Sequence, residues 1–465
     1  MSTVPRKVLD GCTVVTMDPA RTEHAVGHLV VEGTRIVAVA AGRYVDDGSE
    51  ADVVDATGCL ATPGLVNTHH HLYQWATRGL AVDATLFGWL TELYPVWGGI
   101  DEDVVGAAAA AGLGWLARTG CTTSMDHHYV FPTHGGDVLG AEVEAARRIG
   151  LRFLATRGSM DLGQSQGGLP PDHVVEDLDT ILAATAAAVD AHHDASPDSM
   201  LRIGVAPCSP FSVTADLLRE SAALARDRGV RLHTHLAETV DEGRYCAERF
   251  GLSPLPYLES LGWLGDDVWL AHGIHFDDPA IGTLAATGTG VAHCPSSNAR
   301  LGAGIARTRD LRDAGVPVGL GVDGAASNEA SSLVEEARHA LLLARARGGP
   351  EALGVRDALE LATIGGARVL GWDDQIGSLE VGKQADIALW RLDGLGHAGI
   401  VDPVAALVLG SQPPLELLLV GGRSVVSRDR LVTGDEESLA AQAVSAGERL
   451  LARHRDSAGY ISATR

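Results

Sequence analysis

From about Leu65 to about Leu370 the chain alternates short apolar runs with Ala-rich stretches whose apolar residues recur every three or four positions. The apolar runs are LVNTHHH, TTSMDHH, RFLATRG, RIGVAPCS, RLHTHLAE, VWLAHGIH, GTGVAHCPSS and VPVGLGVDG. Runs this short read as strands buried on both faces, whereas EDVVGAAAAAGLGWLARTG, AEVEAARRIG and ADLLRESAALARDRG carry helical spacing. Repetition of strand then helix implies a parallel α/β fold, and eight such units predict a closed (β/α)8 barrel of the TIM type. Almost every run ends in polar residues, and barrels of this type place their chemistry at the C-terminal ends of the strands.

The flanks read differently. VLDGCTVVTMD, HLVVEGTRIVAVA with Gly33 at an apparent hairpin, and DVVDATGCLATPG are strand-like, and the same character returns after Gly371 in IGSLEVGKQADIALW, LELLLVGGRSVVS and RDRLVTG. The predicted division is residues 1–64 as one part of a small β-sandwich domain, 65–371 as the barrel, 372–436 as the other part of the sandwich, and 437–465 as a terminal helix (437–454) and tail.

Composition narrows the setting. Apolar residues make up 46% and charged residues 21% of 465 positions, ordinary values for a folded globular chain. A net charge of −24 argues against a nucleic-acid-binding surface. Lysine occurs only at Lys7 and Lys383, so no barrel strand can supply a carbamylated lysine to bridge two metal ions. Six cysteines without CxxC pairs indicate neither a disulfide framework nor a zinc ribbon, which fits a reducing, cytoplasmic setting. No stretch reaches the roughly 18 uncharged apolar residues of a membrane span.

The chemistry-bearing residues sit at the strand ends. His69 and His71 are two apart on the first barrel strand, so both face inward while His70 points elsewhere. Two imidazoles on one face are half a zinc site, although a packed structural pair would look the same. The fifth run ends in His233, His235 and Glu238; His235 can be a third ligand, Glu238 an acid/base just beyond the strand, and His233 is read as structural. His272 ends the sixth run and Asp323 the eighth, where a buried carboxylate needs a cation or a proton. His275 and His293 are left open.

PGLVNTHHH, HTHLAE, AHGIH, HCPSSNARLGAGIA, GLGVDGAASN and ADIALW occur in that order across essentially the whole chain. With this set the sequence resembles the mononuclear amidohydrolases of the guanine deaminase, chlorohydrolase and S-adenosylhomocysteine deaminase group. The resemblance implies a single Zn2+ per subunit, with Fe2+ as the alternative, held by His69, His71, His235 and Asp323. It also implies Glu238, His272 and Asp323 as catalytic residues in a hydrolytic deamination.

HHLYQWATRG, DHHYVFP, ATRGSMDLGQSQGGLPPD and APCSPFSVT look like the 8-oxoguanine deaminase branch of that family, and Cys208 stands where many relatives carry His. The implied reaction is 8-oxoguanine plus water to urate and ammonia. Alternatives are an s-triazine aminohydrolase or chlorohydrolase, or a guanine or isoxanthopterin deaminase. Gln74, Trp89, Tyr129, Arg157, Ser159 and Cys208, with Trp75 beside them, are the candidate substrate contacts, since amide, hydroxyl and indole groups can read or stack on a flat heterocycle. The expected partners are this small heterocycle and further copies of the chain in a homo-oligomer, with residues 73–100 as a candidate lid or subunit contact.

Overall fold

The computed structural model describes residues 6–46 and 48–463, with side chains to residue 456. Residues 1–5 and 464–465, at the outer edges of the first and last expected segments, lie outside the described residues. Among the described residues no helix is long and apolar enough to cross a membrane.

All eight expected barrel strands form and close on themselves. They are β1 (Leu65–Asn67), β2 (Cys121–His128), β3 (Arg152–Ser159), β4 (Leu201–Pro207), β5 (Leu232–Leu236), β6 (Val268–His272), β7 (Gly290–His293) and β8 (Val318–Leu320). Leu320 pairs with Asn67 to close the ring. Just past this seam His70–His71 and Asp323–Gly324 form a short parallel pair, which brings the two ends of the barrel sequence side by side.

Four helices matter for the site. α1 (Leu86–Trp97) follows β1 and roofs the barrel mouth, and α2 (Glu102–Arg118) starts at Asp101, whose carboxylate caps the Val104 amide at 2.9 Å. α3 (Val240–Phe250) follows β5, and α4 (Glu436–Ala463) ends the chain and packs against α2. α4 runs past the 437–454 expected from its composition.

The two chain ends join in one nine-stranded mixed sheet. Its order runs Arg430–Leu431, Arg423–Ser427, Leu415–Val420, Ile387–Arg391, Cys59–Pro63, Arg6–Val15, Glu23–Glu32, Arg35–Ala41, with Asp52–Asp55 alongside Arg6–Val15. Only the last residues of IGSLEVGKQADIALW enter a strand; the part before Ile387 is built of turns, with Gly377 and Gly382 at positive φ. Side chains alternate across the sheet. Leu9, Leu29, Ile387, Leu389, Leu417 and Leu419 enclose a core of their own, while Leu60, Ala388, Trp390, Leu418 and Val420 merge with the barrel core. Trp390 presses so close to Gly120, at the start of β2, that a Cβ there would lie 2.0 Å from its ring.

One buried ion pair ties sheet to barrel. The Arg152 guanidinium, at the base of β3, meets both oxygens of Asp386 at 3.2 Å and donates to the Ser199 carbonyl; Asp386 also accepts from the Gly421 amide at 2.7 Å. Both side chains are almost wholly buried, at 1% and 2% exposure. Removing one partner strands the other charge in the interior. Asp386→Ala should therefore lower unfolding free energy by about 3 kcal/mol or more in urea titrations; a loss under about 1 kcal/mol would contradict this account of the joint.

Candidate active site

The strand ends converge on a cluster of imidazoles whose protons are assigned by their partners. His71 Nδ1 lies 2.7 Å from the His127 carbonyl and His235 Nδ1 lies 2.6 Å from the Cys208 carbonyl, so both rings carry their proton on Nδ1. His233 Nδ1 donates to the Trp269 carbonyl at 2.9 Å, which leaves its Nε2 to accept from His69 Nδ1 at 2.8 Å. All three candidate ligands thus present a bare Nε2. His71 and His235 hold these atoms 3.1 Å apart, and Asp323 Oδ1 stands 3.4 Å from His69 Nε2 and 3.3 Å from His71 Nε2.

This arrangement fits a divalent metal ion. No proton is available to bridge the Nε2 atoms, His69 Nε2 is buried without a hydrogen-bond partner, and the convergent lone pairs repel unless a cation lies between them. Three imidazoles and a carboxylate are a zinc-type donor set, and His69, His71, His235 and His127 in one group, with His69, His272 and Asp323 in another, have ligand atoms within 4.8 Å of one another. Burial keeps the imidazoles neutral, lowering His71 and His235 to about 4 and His69 well below its ordinary value. Burial alone would raise Asp323, but the imidazoles packed around it, His69 first and then His272 and His71, hold its carboxyl well below the ordinary range.

Close packing limits what can stand here. A Cβ on Gly321 would lie 2.6 Å from the His69 Cβ, so the residue before Val322 and Asp323 must be glycine. Asp323 Oδ2 accepts from Ser297 Oγ at 2.6 Å, and Oδ1 from the Gly324 amide at 2.7 Å. Ala237, His272 and Asp323, just past β5, at the end of β6 and just past β8, all adopt left-handed backbone at φ 55°, 74° and 60°, a strained choice for residues with a Cβ.

Two groups are placed to handle protons. Glu238 is buried, and burial reinforced by the charges of Asp323 and Glu242 pushes its carboxyl well above the ordinary range. Asn298 Nδ2 lies 2.9 Å from His272 Nδ1; with Asn298 donating, His272 carries its proton on Nε2, which faces Glu238 Oε2 at 3.6 Å.

A narrow cavity of about 30 Å³ opens on this cluster, well below the usual volume of a ligand site. Gln74, Trp89, Tyr129 and Cys208 line it together with His71, His235, Glu238, His272 and Asp323. Neither amide atom of Gln74 has a protein partner. Arg157 and Ser159 do not line it: Arg157 turns to the loop beyond β3, where it grips both oxygens of Glu176 at 2.8 Å and stacks over Phe131. Trp75 sits under Arg78 on an outer groove, and His275 bonds the Ala303 carbonyl outside the cavity.

Tyr94 was not among the expected residues, yet it lines the cavity with an unpartnered, buried hydroxyl. Its signal was present as the stripe Leu86, Trp89, Leu90, Tyr94, spaced as one face of α1. His127 also escaped the sequence reading; its ring stacks on His235 at 4.7 Å and its Nε2 donates to the Ala206 carbonyl.

If a cation stabilises the converging lone pairs, removing it should loosen the fold. Dialysis against a strong chelator is expected to lower the melting temperature by several degrees, and stoichiometric zinc to restore it; an unchanged melting curve with metal shown to be gone would refute the assignment.

Comparison with known proteins agrees with this geometry. The amidohydrolase family model matches residues 60–425. The 8-oxoguanine deaminase of Pseudomonas aeruginosa is 46% identical over 441 residues, spanning 94% of this chain and 96% of that protein. An isoxanthopterin deaminase from an unknown prokaryotic organism is 40% identical over 413 residues, spanning 84% of this chain and 86% of that one. The crystal structure of atrazine chlorohydrolase from Arthrobacter aurescens TC1 complexed with zinc is similar with a TM-score of 0.90 at 35% identity, covering 95% of this chain and 100% of that one. Barrel and sequence agree: the chain belongs to the amidohydrolase family.

Proposed function

We propose that the protein is a zinc-dependent deaminase that converts 8-oxoguanine and water to urate and ammonia. The observation that carries this reading is the juxtaposition, on the wall of one small cavity, of a buried Glu238, its carboxyl pushed well above the ordinary range, with His71, His235 and Asp323, and with His69 against Asp323. The 46% identity to an 8-oxoguanine deaminase over nearly the full chain supports the choice of heterocycle.

A zinc ion held by those four residues would supply Lewis acidity and lower the pKa of water towards neutrality. The chain's own groups do the rest. Asp323, ionised and beside the donor set, accepts a proton from the water that attacks the amidine carbon of the substrate. His272 Nε2–H orients the attacking oxygen. Glu238 gives its proton to a ring nitrogen flanking that carbon, which makes the carbon more electrophilic; the ionised Glu238 then takes the proton of the added hydroxyl and passes it to the amino group, and the proton held by Asp323 restores Glu238. The carbon–nitrogen bond breaks, ammonia leaves, and a carbonyl stands in its place. Gln74, with both amide atoms free of protein partners, pairs with the donor and acceptor edge of the ring, and Trp89 on α1 covers the cavity.

An s-triazine hydrolase would use the same centre, and the solved atrazine chlorohydrolase matches this fold closely. Cys208 favours the oxopurine: a buried neutral thiol, its pKa pushed up to about 11 by burial, offers a small uncharged neighbour to a lactam. Purified zinc-loaded protein should release ammonia from 8-oxoguanine with kcat/KM at least about tenfold above guanine, isoxanthopterin and hydroxyatrazine. Absence of ammonia from 8-oxoguanine would sink the substrate assignment. Turnover by hydroxyatrazine in its place would favour the triazine reading.

A further inference from the structure

The turn that presents Glu238 is gripped by a second carboxylate that does not line the cavity. Glu242 is 1% exposed; its Oε1 accepts from the Ala237 amide at 2.8 Å and its Oε2 from the Glu238 amide at 2.9 Å. It stands at the third position of α3, whose first turn is capped by Thr239 Oγ1 on the Glu242 amide at 3.2 Å. In a capping box the third-position carboxylate returns to the cap residue's own amide. Here it reaches further back, to the two residues before the cap.

Those two residues form the bend that leaves β5. Ala237 is left-handed at φ 55°, a conformation its Cβ disfavours, so something must hold it. From the carbonyl side the bend is tied to the end of β6, through the Gly273 amide on Leu236 O at 3.1 Å and the His275 amide on Ala237 O at 3.0 Å. From the amide side only Glu242 among the described residues holds it. A buried carboxyl is a costly choice for a cap, and a neutral amide would avoid the cost. What a carboxylate offers and an amide does not is two acceptor oxygens for two successive N–H groups.

We propose that Glu242 is a positioning residue for the reaction: its two oxygens clamp the Ala237 and Glu238 amides and so aim the Glu238 carboxyl into the cavity. This rests on the reading of Glu238 as the acid/base. Glu242 touches no substrate and transfers no proton; it acts through the geometry of Glu238. A shift of Glu238 by even an ångström would cost rate without cost to substrate binding or to metal retention.

The test is a double-mutant cycle on the zinc-loaded enzyme, using the best substrate found in the assay above. Glu238→Gln should cut kcat on the order of 10²-fold or more. Glu242→Gln keeps the side-chain volume but only one acceptor oxygen, and should lower kcat at least about tenfold with KM and bound zinc nearly unchanged and with a melting temperature lower by only a few degrees, from the one buried amide left unpaired. The double variant should be no slower than Glu238→Gln alone, since the group being aimed is already gone. If the double variant is slower by the full Glu242→Gln factor, or if Glu242→Gln leaves kcat intact, the clamp is overturned. If Glu238→Gln itself keeps activity, the acid/base reading fails first and the clamp falls with it. Should Glu242→Gln not fold, Glu242→Asp, which withdraws both oxygens by one methylene, enters the same cycle with the same expected outcomes.

Discussion

The three candidate ligand imidazoles, His69, His71 and His235, each have to expose a bare Nε2 towards their neighbours, and the rest of the site follows from how the fold enforces this. The Nδ1 proton of each candidate ligand is taken by an acceptor on another strand or at its end: His71 by the His127 carbonyl on β2, His235 by the Cys208 carbonyl past β4, and His69 by His233 on β5, itself anchored on the Trp269 carbonyl of β6. Backbone carbonyls in a closed sheet cannot swing away, so the rings are fixed in tautomer and direction before any ion arrives. The barrel is thus more than a platform; its closure between β8 and β1 brings Asp323 against His69 and His71.

Burial does a second job by sorting protons. It pushes imidazoles down and the Glu238 carboxyl up, while the imidazoles around Asp323 hold that carboxyl down. Desolvation that would be a liability elsewhere favours uncharged imidazoles, the form that binds metal, and disfavours ionisation of Glu238. The cost appears in the backbone, where Ala237, His272 and Asp323 are held left-handed by the surrounding hydrogen bonds.

The second unit serves the first. Its sheet covers one end of the barrel with Trp390 against Gly120, and the Arg152–Asp386 pair locks that contact from within. Rigidity there matters for function because the residues of the site lie at the opposite ends of the same strands.

Much of this was readable from residue order. Eight short apolar runs with helical spacers determine a parallel barrel, the spacing of two in His69 and His71 determines that both face one way, and the lack of barrel lysines rules out a carbamate bridge. The position of Glu238 three residues after His235 likewise marks a carboxyl beyond the strand. What order alone could not decide was which strand-end side chains turn inward past the last ladder pair, because alternation ends where the strand does. Arg157 looked like a substrate contact until Glu176, brought up by the following loop, drew it away; Tyr94, within the stretch read as a lid or subunit contact, reaches the cavity because α1 folds over the mouth. Which histidine nitrogen bears the proton, and that Glu242 grips the Glu238 turn, depend on distances between strands far apart in sequence or on a bend of left-handed backbone. Those were decided only by the tertiary structure, where hydrogen-bond partners come into reach.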